Sequence, residues 1–477
     1  MDIISLASSM RYTDQRVLSV DNRAIKKYTV NFSGSNPAGT RADDAVGMVA
    51  GVAVGSGAAV NNFDAVSFFN RPICCGNFDA NGVMHINAYR GEPGFAWDGS
   101  NGELWHEETP FYWKGDLLTT VSVTGTPCEG YELSPRFPNG TDKQYSPVYW
   151  MASVNNVATS RSGVFPTYNS LNGHMTAART YNATKAHTET MAARMSDYIL
   201  QLVEFATKDV QNIMMGACNL SYTASHVATV AENGVNRIII ANAYADTYVV
   251  GQTIAIGASA GDGAVCENRV ITTIAVYDAN NKAISFDGAA VNIALGKVIS
   301  SRAWKNGATD IITASSGSPV SNTSGKYPCI WRGKVDPWAD AFSAICDILI
   351  QQTGSGTTGD PYVYTPYYLK DPRKYNAGTI TADYVKLGYT IPGADGYAET
   401  LGYDARYKLA RLTDAIGASS TTYLAAYYYY PRYAVCVAFV GGGWISGRYC
   451  SPVYFYCNNA PSYSNINRLA RHFYRIK

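Results

Sequence analysis

At 477 residues the chain is longer than one hydrophobic core can serve, so two or three structural units are expected. Its formal net charge is +1 and 16% of its residues are charged, which leaves none of the electrostatic drive that a nucleic-acid or anionic-membrane binder shows. Met1 to Arg23 interleaves Asp2, Arg11, Asp14 and Arg16 without an apolar block, and no later stretch approaches the roughly 18 uninterrupted apolar residues of a spanning helix. Neither a signal peptide nor membrane insertion is therefore expected, and synthesis in a cytoplasm is.

Residues 1–75 mix short alternating runs such as Tyr28-Thr29-Val30-Asn31-Phe32 with Gly, Ser, Asn and Ala stretches, the pattern of strands and loops. From Val83 to Asn155 the strand pattern continues with aromatics at Trp105, Phe111, Tyr112, Trp113, Tyr149 and Trp150. The period then changes. Met191, Met195, Tyr198, Ile199, Leu202, Phe205 and Ala206 recur at steps of three and four, which predicts an amphipathic helix from about Ala186 to Asp209. Residues 219–326 hold β-branched runs, including Arg237-Ile238-Ile239-Ile240 and Arg269 to Tyr277, separated by Gly, Asp and Asn turns; they read as a small inserted all-β domain. Asp336-Pro337 resembles an N-cap followed by a first-turn proline, and Trp338, Phe342, Ile345 and Leu349 predict a second helix ending near Gly354. Tyr433 to Phe439 reads as a buried strand that Gly441-Gly442-Gly443 breaks. Strands, helix, strands, helix and terminal strands make an α+β order.

The chain holds 36 tyrosines against 15 phenylalanines. Because a buried phenol oxygen needs a partner and an exposed one makes a rigid amphipathic contact, this excess points to a surface that binds. In the run Tyr427-Tyr428-Tyr429-Tyr430, a strand packed on both sides is the preferred reading over an extension of such a surface. The ten cysteines are scattered and read as free buried thiols; Cys436, Cys450 and Cys457 fall close enough to pair, but no C-x-x-C spacing or histidine cluster supports a metal site, and no cofactor is expected. Gly354 to Gly359 lacks the lysine of a phosphate-binding loop. Asp43-Asp44 and Glu107-Glu108 are adjacent carboxylates, expected to face apart and to be solvated.

The terminal segment is the most specific part. Val440-Gly-Gly-Gly-Trp-Ile-Ser-Gly-Arg-Tyr-Cys450, Phe455-Tyr-Cys-Asn-Asn-Ala460 and Ser462 to Arg471 resemble the end of the C-type-lectin-fold variable proteins of diversity-generating retroelements, found in phages and prophages. The matching positions are Gly441, Gly442, Trp444, Gly447, Cys450, Asn458, Asn459, Ala460, Ser462 and Arg471, with weaker landmarks upstream at Arg41 to Gly47, Leu202 to Ala206, Asp336-Pro337-Trp338 and Lys386 to Tyr389. The resemblance implies a C-type-lectin-like domain, of the fold shared with formylglycine-generating enzymes, formed by residues 76–218 and 327–477. It is interrupted by the all-β insert at 219–326, preceded by a β-rich attachment or oligomerisation region at 1–75, and ends in a variable region at 433–477.

If the segment after Gly443 is extended, Val453 and Phe455 face one side while Tyr454 and Tyr456 face the other. The expected binding face then comprises Ser446, Arg448, Tyr449, Ser451, Tyr454, Tyr456, Tyr463, Asn465, Asn467 and Arg468, held on a scaffold of Gly441, Gly442, Trp444, Cys450, Asn458, Asn459 and Arg471. The resemblance implies a non-enzymatic virion protein at a phage or prophage tail tip, recognising a host cell-surface protein or glycan, assembled with other tail proteins as a homotrimer, with no nucleic acid as partner. An enzyme of the formylglycine-generating, sulfatase-modifying type is the alternative. The family's copper-binding cysteine pair and Gly-Asn-Val-Trp-Glu-Trp-like helix start are its marks, and the latter is replaced here by Asp336-Pro-Trp-Ala-Asp-Ala-Phe342. A purely structural virion protein is the other alternative.

Overall fold

The computed structural model describes residues 25–474, so the reading of Met1 to Arg23 lies outside the described residues. Strands hold 36% of the chain and helices 10%, which makes it β-rich with few helices. Two helices pack on the sheets that carry the terminal segment. Helix α1, Leu171–Tyr181, is capped by Ser170, whose hydroxyl accepts from Gly173 N, and buries Leu171, Met175 and Ala178 on one stripe. The sequence gives little sign of it because that stripe is only three apolar residues deep.

Helix α2, Met191–Phe205, starts at Thr190, which caps Ala193 N, and stops at Ala206 in the left-handed region (φ 51°). It is shorter than the expected 186–209: Ala186–His187 is instead a strand paired with Phe473–Tyr474. An amphipathic helix would leave its polar side in water, yet here that side is buried too, with Arg194, Asp197, Gln201 and Glu204 all enclosed. Those charges are met inside. Asp197 pairs with Arg71 at 2.6 Å and Lys334 at 3.0 Å, Arg194 with Glu189 at 2.7 Å, and Glu204 with Arg332 at 2.7 Å. Lys334 also reaches Glu189 at 2.6 Å, which joins the Asp197 and Arg194 pairs into one network and leaves Glu204–Arg332 as a separate pair. The neighbouring cations hold the Glu189, Asp197 and Glu108 carboxyls below the usual range against the opposing pull of burial.

The segment expected to form a second helix is a strand. Asp336, Ala339 and Asp340 have φ of 46°, 63° and 49°, which no right-handed helix admits, and Phe342–Thr353 runs as the longest strand of a nine-stranded sheet. Its first nine residues are buried and seven of them are apolar, so the alternation that marks a half-exposed strand is missing. Across the sheet the order is Tyr384–Lys386, Val363–Leu369, Phe342–Thr353, Val435–Gly441, Ser451–Asn459, Tyr427–Tyr429, Gly396–Leu401 and Thr413–Ile416; Arg468–Leu469 pairs parallel to the start of Phe342–Thr353.

A five-stranded sheet built from Tyr28–Phe32, Gly39–Asp43, Tyr112–Gly115, Thr120–Thr124 and Glu132–Leu133 packs with α2 and the large sheet around one core. Tyr28 pairs opposite Val123, so this sheet crosses the boundary expected at residue 75. Between the two halves of the chain, Arg237–Ala241, Thr253–Gly257, Cys266–Val276, Asn281–Phe286 and Val298–Ser301 form a sheet with its own apolar cluster of Ile238, Ile254, Ile284 and Ile299. Residues after 301 leave that body: Ser316–Ser318 pairs in parallel with Ala53–Val54.

Candidate functional site

The large sheet has two unequal faces. On one, Val453, Phe455, Tyr428, Ala398 and Ala438 pack toward α2. On the other, α1 covers the part made by Phe342, Ala344, Leu349 and Phe439. Beyond α1 the same face continues as tyrosine.

Strand alternation sets which tyrosines appear there. In Ser451–Asn459, Tyr454 and Tyr456 point away from α2, as the sequence predicts. Tyr427 and Tyr429 do the same on the parallel neighbouring strand, while Tyr428 between them is buried and donates its hydroxyl to Pro392 O at 2.8 Å. The run 427–430 therefore divides between core and face instead of being packed on both sides. Tyr397 comes from the next strand, and Tyr449 from the single turn Gly447–Tyr449. The rings are contiguous: Tyr427 stacks on Tyr449 at 4.5 Å between centroids, Tyr397 stands edge-on to Tyr427 at 4.9 Å, and Tyr429 lies 5.0 Å from Tyr427 and 4.9 Å from Tyr456. Offset and edge contacts of this kind are worth about 0.5–1.5 kcal/mol each beyond burial, so the rings brace one another.

All these rings except Tyr449 are half-buried; Tyr449 is 38% exposed. Burial pushes the Tyr397, Tyr427 and Tyr429 phenols up, Tyr429 to about 12, and adjacent tyrosines add to the shift. At neutral pH the face is a set of neutral O–H groups on rigid rings.

The expected face residues separate on inspection. Tyr449, Tyr456 and Tyr463 are accessible, Tyr463 at 39%, and Asn465 and Asn467 are partly so. Ser451 (0%), Tyr454 (2%) and Arg468 (3%) are buried. Tyr454 lies against Phe342, with ring centroids 5.4 Å apart, because Arg468–Leu469 and α1 close over that end of the strand. Ser446 and Arg448 are partly exposed but engaged: Ser446 Oγ accepts from Gly443 N, and Arg448 donates to Asp209 at 2.8 Å and Asn212 at 2.9 Å. They fix the turn that carries Tyr449.

All seven scaffold positions are buried. Gly442 has φ 90°, and a Cβ there would meet Cys450 Sγ at 2.5 Å, so only glycine fits. Trp444 N donates to Asp340 O, its own carbonyl accepts from Leu220 N, and Arg471 stacks 4.0 Å over Trp150 while donating to Asp336 O. Asn459 Oδ1 accepts from Arg468, and Asn458 lies beside it in the strand. Cys436, Cys450 and Cys457 do not pair; none of the ten cysteines forms a disulfide, and nine of them are buried.

Glu107 and Glu108 do face apart, but both are buried instead of solvated. Glu107 pairs with Lys143 and accepts from Tyr89, and Glu108 pairs with Arg136 and Arg71. No group of three or more metal-ligating side chains occurs among the described residues, and no helix among them is long and apolar enough to cross a membrane. Tyr397 escapes sequence reasoning, while Tyr427 and Tyr429 fall in the run whose alternative reading is an extension of the binding surface and carry one usable signal, since they flank a residue of opposite orientation; the parallel pairing that aligns them with Tyr456 has no local signature.

The chain matches no known protein-family profile and no curated protein. What defines the site is its own geometry: a neutral, braced tyrosine surface at the uncovered end of a large sheet.

Proposed function

We propose that this chain is a phage or prophage tail-tip protein of C-type-lectin-like fold, which recognises a host-surface ligand through a tyrosine face shared by its terminal region and the strands beside it. The observation that carries the reading is the contiguous set Tyr397, Tyr427, Tyr429, Tyr449 and Tyr456, half-exposed on a sheet whose other face is closed. Rigid aromatic side chains give large contact area at low entropic cost, and Asn465 and Asn467 at the margin add adaptable hydrogen bonds. In a homotrimer built into a virion with other tail proteins, weak single contacts would be multiplied by several copies on one particle.

Diversification is tested by deep sequencing of the 3′ end of the gene across a population. Substitutions are expected to concentrate at Tyr449, Tyr456, Tyr463, Asn465 and Asn467, and to spare Ser451 and Tyr454, whose side chains reach no ligand. Uniform variation along the gene would overturn the assignment.

A further inference from the structure

One charge at the tyrosine face has no counter-charge. Three arginines border it. Arg432 pairs with Asp395 at 2.9 Å and Arg448 with Asp209 at 2.8 Å, whereas Arg468 makes no ion pair among the described residues. Its guanidinium donates to Asn459 Oδ1 at 3.1 and 3.2 Å and to Asn467 Oδ1 at 2.7 Å, and it is stacked against Phe342 at 4.3 Å, Tyr456 at 4.4 Å and Phe439 at 5.1 Å. The ionisable groups that act most on its charge are Tyr456, Tyr454 and Tyr463, phenols and not carboxylates. An arginine stays protonated even when buried, and in a low-dielectric setting its field is weakly screened and reaches the surface above it.

Two phenols adjoin it, Tyr456 stacked on the guanidinium and Tyr463 close enough to act on its charge. Tyr463 is exposed, and its oxygen already accepts from Asn465 Nδ2 at 3.0 Å, which leaves its own O–H free to donate outward. Tyr456 is half-exposed over the guanidinium. Acceptors with negative charge are what this corner lacks, and two phenols backed by a cation are what it offers.

We infer that the ligand of this face is an acidic carbohydrate whose carboxylate sits at Tyr456 and Tyr463, above Arg468. The inference rests on the tyrosine face being the binding surface. A carbohydrate fits better than an acidic peptide because contiguous half-exposed rings present flat apolar faces and phenol rims together. These match the C–H face and hydroxyl edge of a pyranose, whereas peptide anchors seek a desolvated pocket.

The test is a printed array of sialylated and uronate-containing glycans beside their methyl-esterified counterparts, with polyglutamate as a comparison, probed with the labelled full chain. Acidic glycans are expected to give signals about tenfold above the esters, reduced in high salt and several-fold weaker with Tyr463→Phe. That variant removes one exposed hydroxyl and leaves Arg468 in place, so it avoids the misfolding risk of Arg468→Gln. Equal binding of the esters, preference for polyglutamate, an unchanged Tyr463→Phe protein or no signal on any acidic glycan would each overturn the assignment. Neutral binding that is lost in Tyr449→Ala would remove only the charge assignment; binding indifferent to Tyr449→Ala would remove the face itself.

Discussion

The two faces of the large sheet use buried polarity in opposite ways. Toward α2, side chains of both charges are enclosed and neutralise one another: Asp197 lies between Arg71 and Lys334, and Glu204 holds Arg332. Away from α2, the sheet carries phenols, and the buried cation Arg468 is held by amides instead of carboxylates. Closed networks of ions specify how elements dock, because breaking them strands a charge. An array of phenols costs little to leave half-wet and keeps its hydrogen bonds for something else. One face is therefore closed by paired charges, and the other is left half-open with neutral phenols.

That contrast can be broken most severely on the closed face. Glu204→Gln leaves the buried Arg332 with only the half-exposed Asp64 carboxylate at 3.2 Å, and stability measured by urea unfolding is expected to fall by about 3 kcal/mol. On the other face, Tyr454→Ala is expected to cost about 3 kcal/mol, because that ring is core although its neighbours are not. A drop of the same size for Tyr449→Ala would erase the difference between buried and open tyrosines; it is expected to stay within about 0.5–1 kcal/mol.

A pH titration sharpens the same comparison. Burial on the closed side pushes the carboxyls of Asp347 and Asp336 up to about 7. The folded state then keeps protons that the unfolded chain releases near pH 4, so between about pH 4 and 7 these groups make stability fall as pH rises. The depressed Glu189, Glu108 and Asp197 act in the other direction: their contribution is complete above the ordinary carboxylate range and is lost as pH falls below it. Asp347→Asn keeps an oxygen for Met191 N. It is expected to match the parent near pH 4 and to exceed it by roughly 4 kcal/mol at pH 8, read from unfolding midpoints.

The same division separates what is legible in the sequence from what is not. Alternation in Val453-Tyr454-Phe455-Tyr456 predicts the two sides of the terminal strand, because a strand must place neighbours on opposite faces. Phe342–Thr353 reads as a helix because a strand buried on both faces has no period of two, and Asp336-Pro337 imitates a helix start although Asp336 adopts a left-handed turn. The buried state of Ser451, Tyr454 and Arg468 depends on Arg468–Leu469 and α1 closing over one end of the strand. Local sequence does not encode such long-range closure. The ionic network is hidden for the same reason: Arg71, Lys334 and Asp197 come together from positions far apart in the chain.

The measurement closest to the central claim is adsorption of the labelled full chain to a panel of bacterial cells, comparing the parent with Tyr427→Ala/Tyr449→Ala and with Tyr277→Ala, an exposed tyrosine in the inserted body. The account predicts that the double variant loses binding while its unfolding midpoint shifts little, and that Tyr277→Ala binds as the parent does. Undiminished adsorption by the double variant would contradict it.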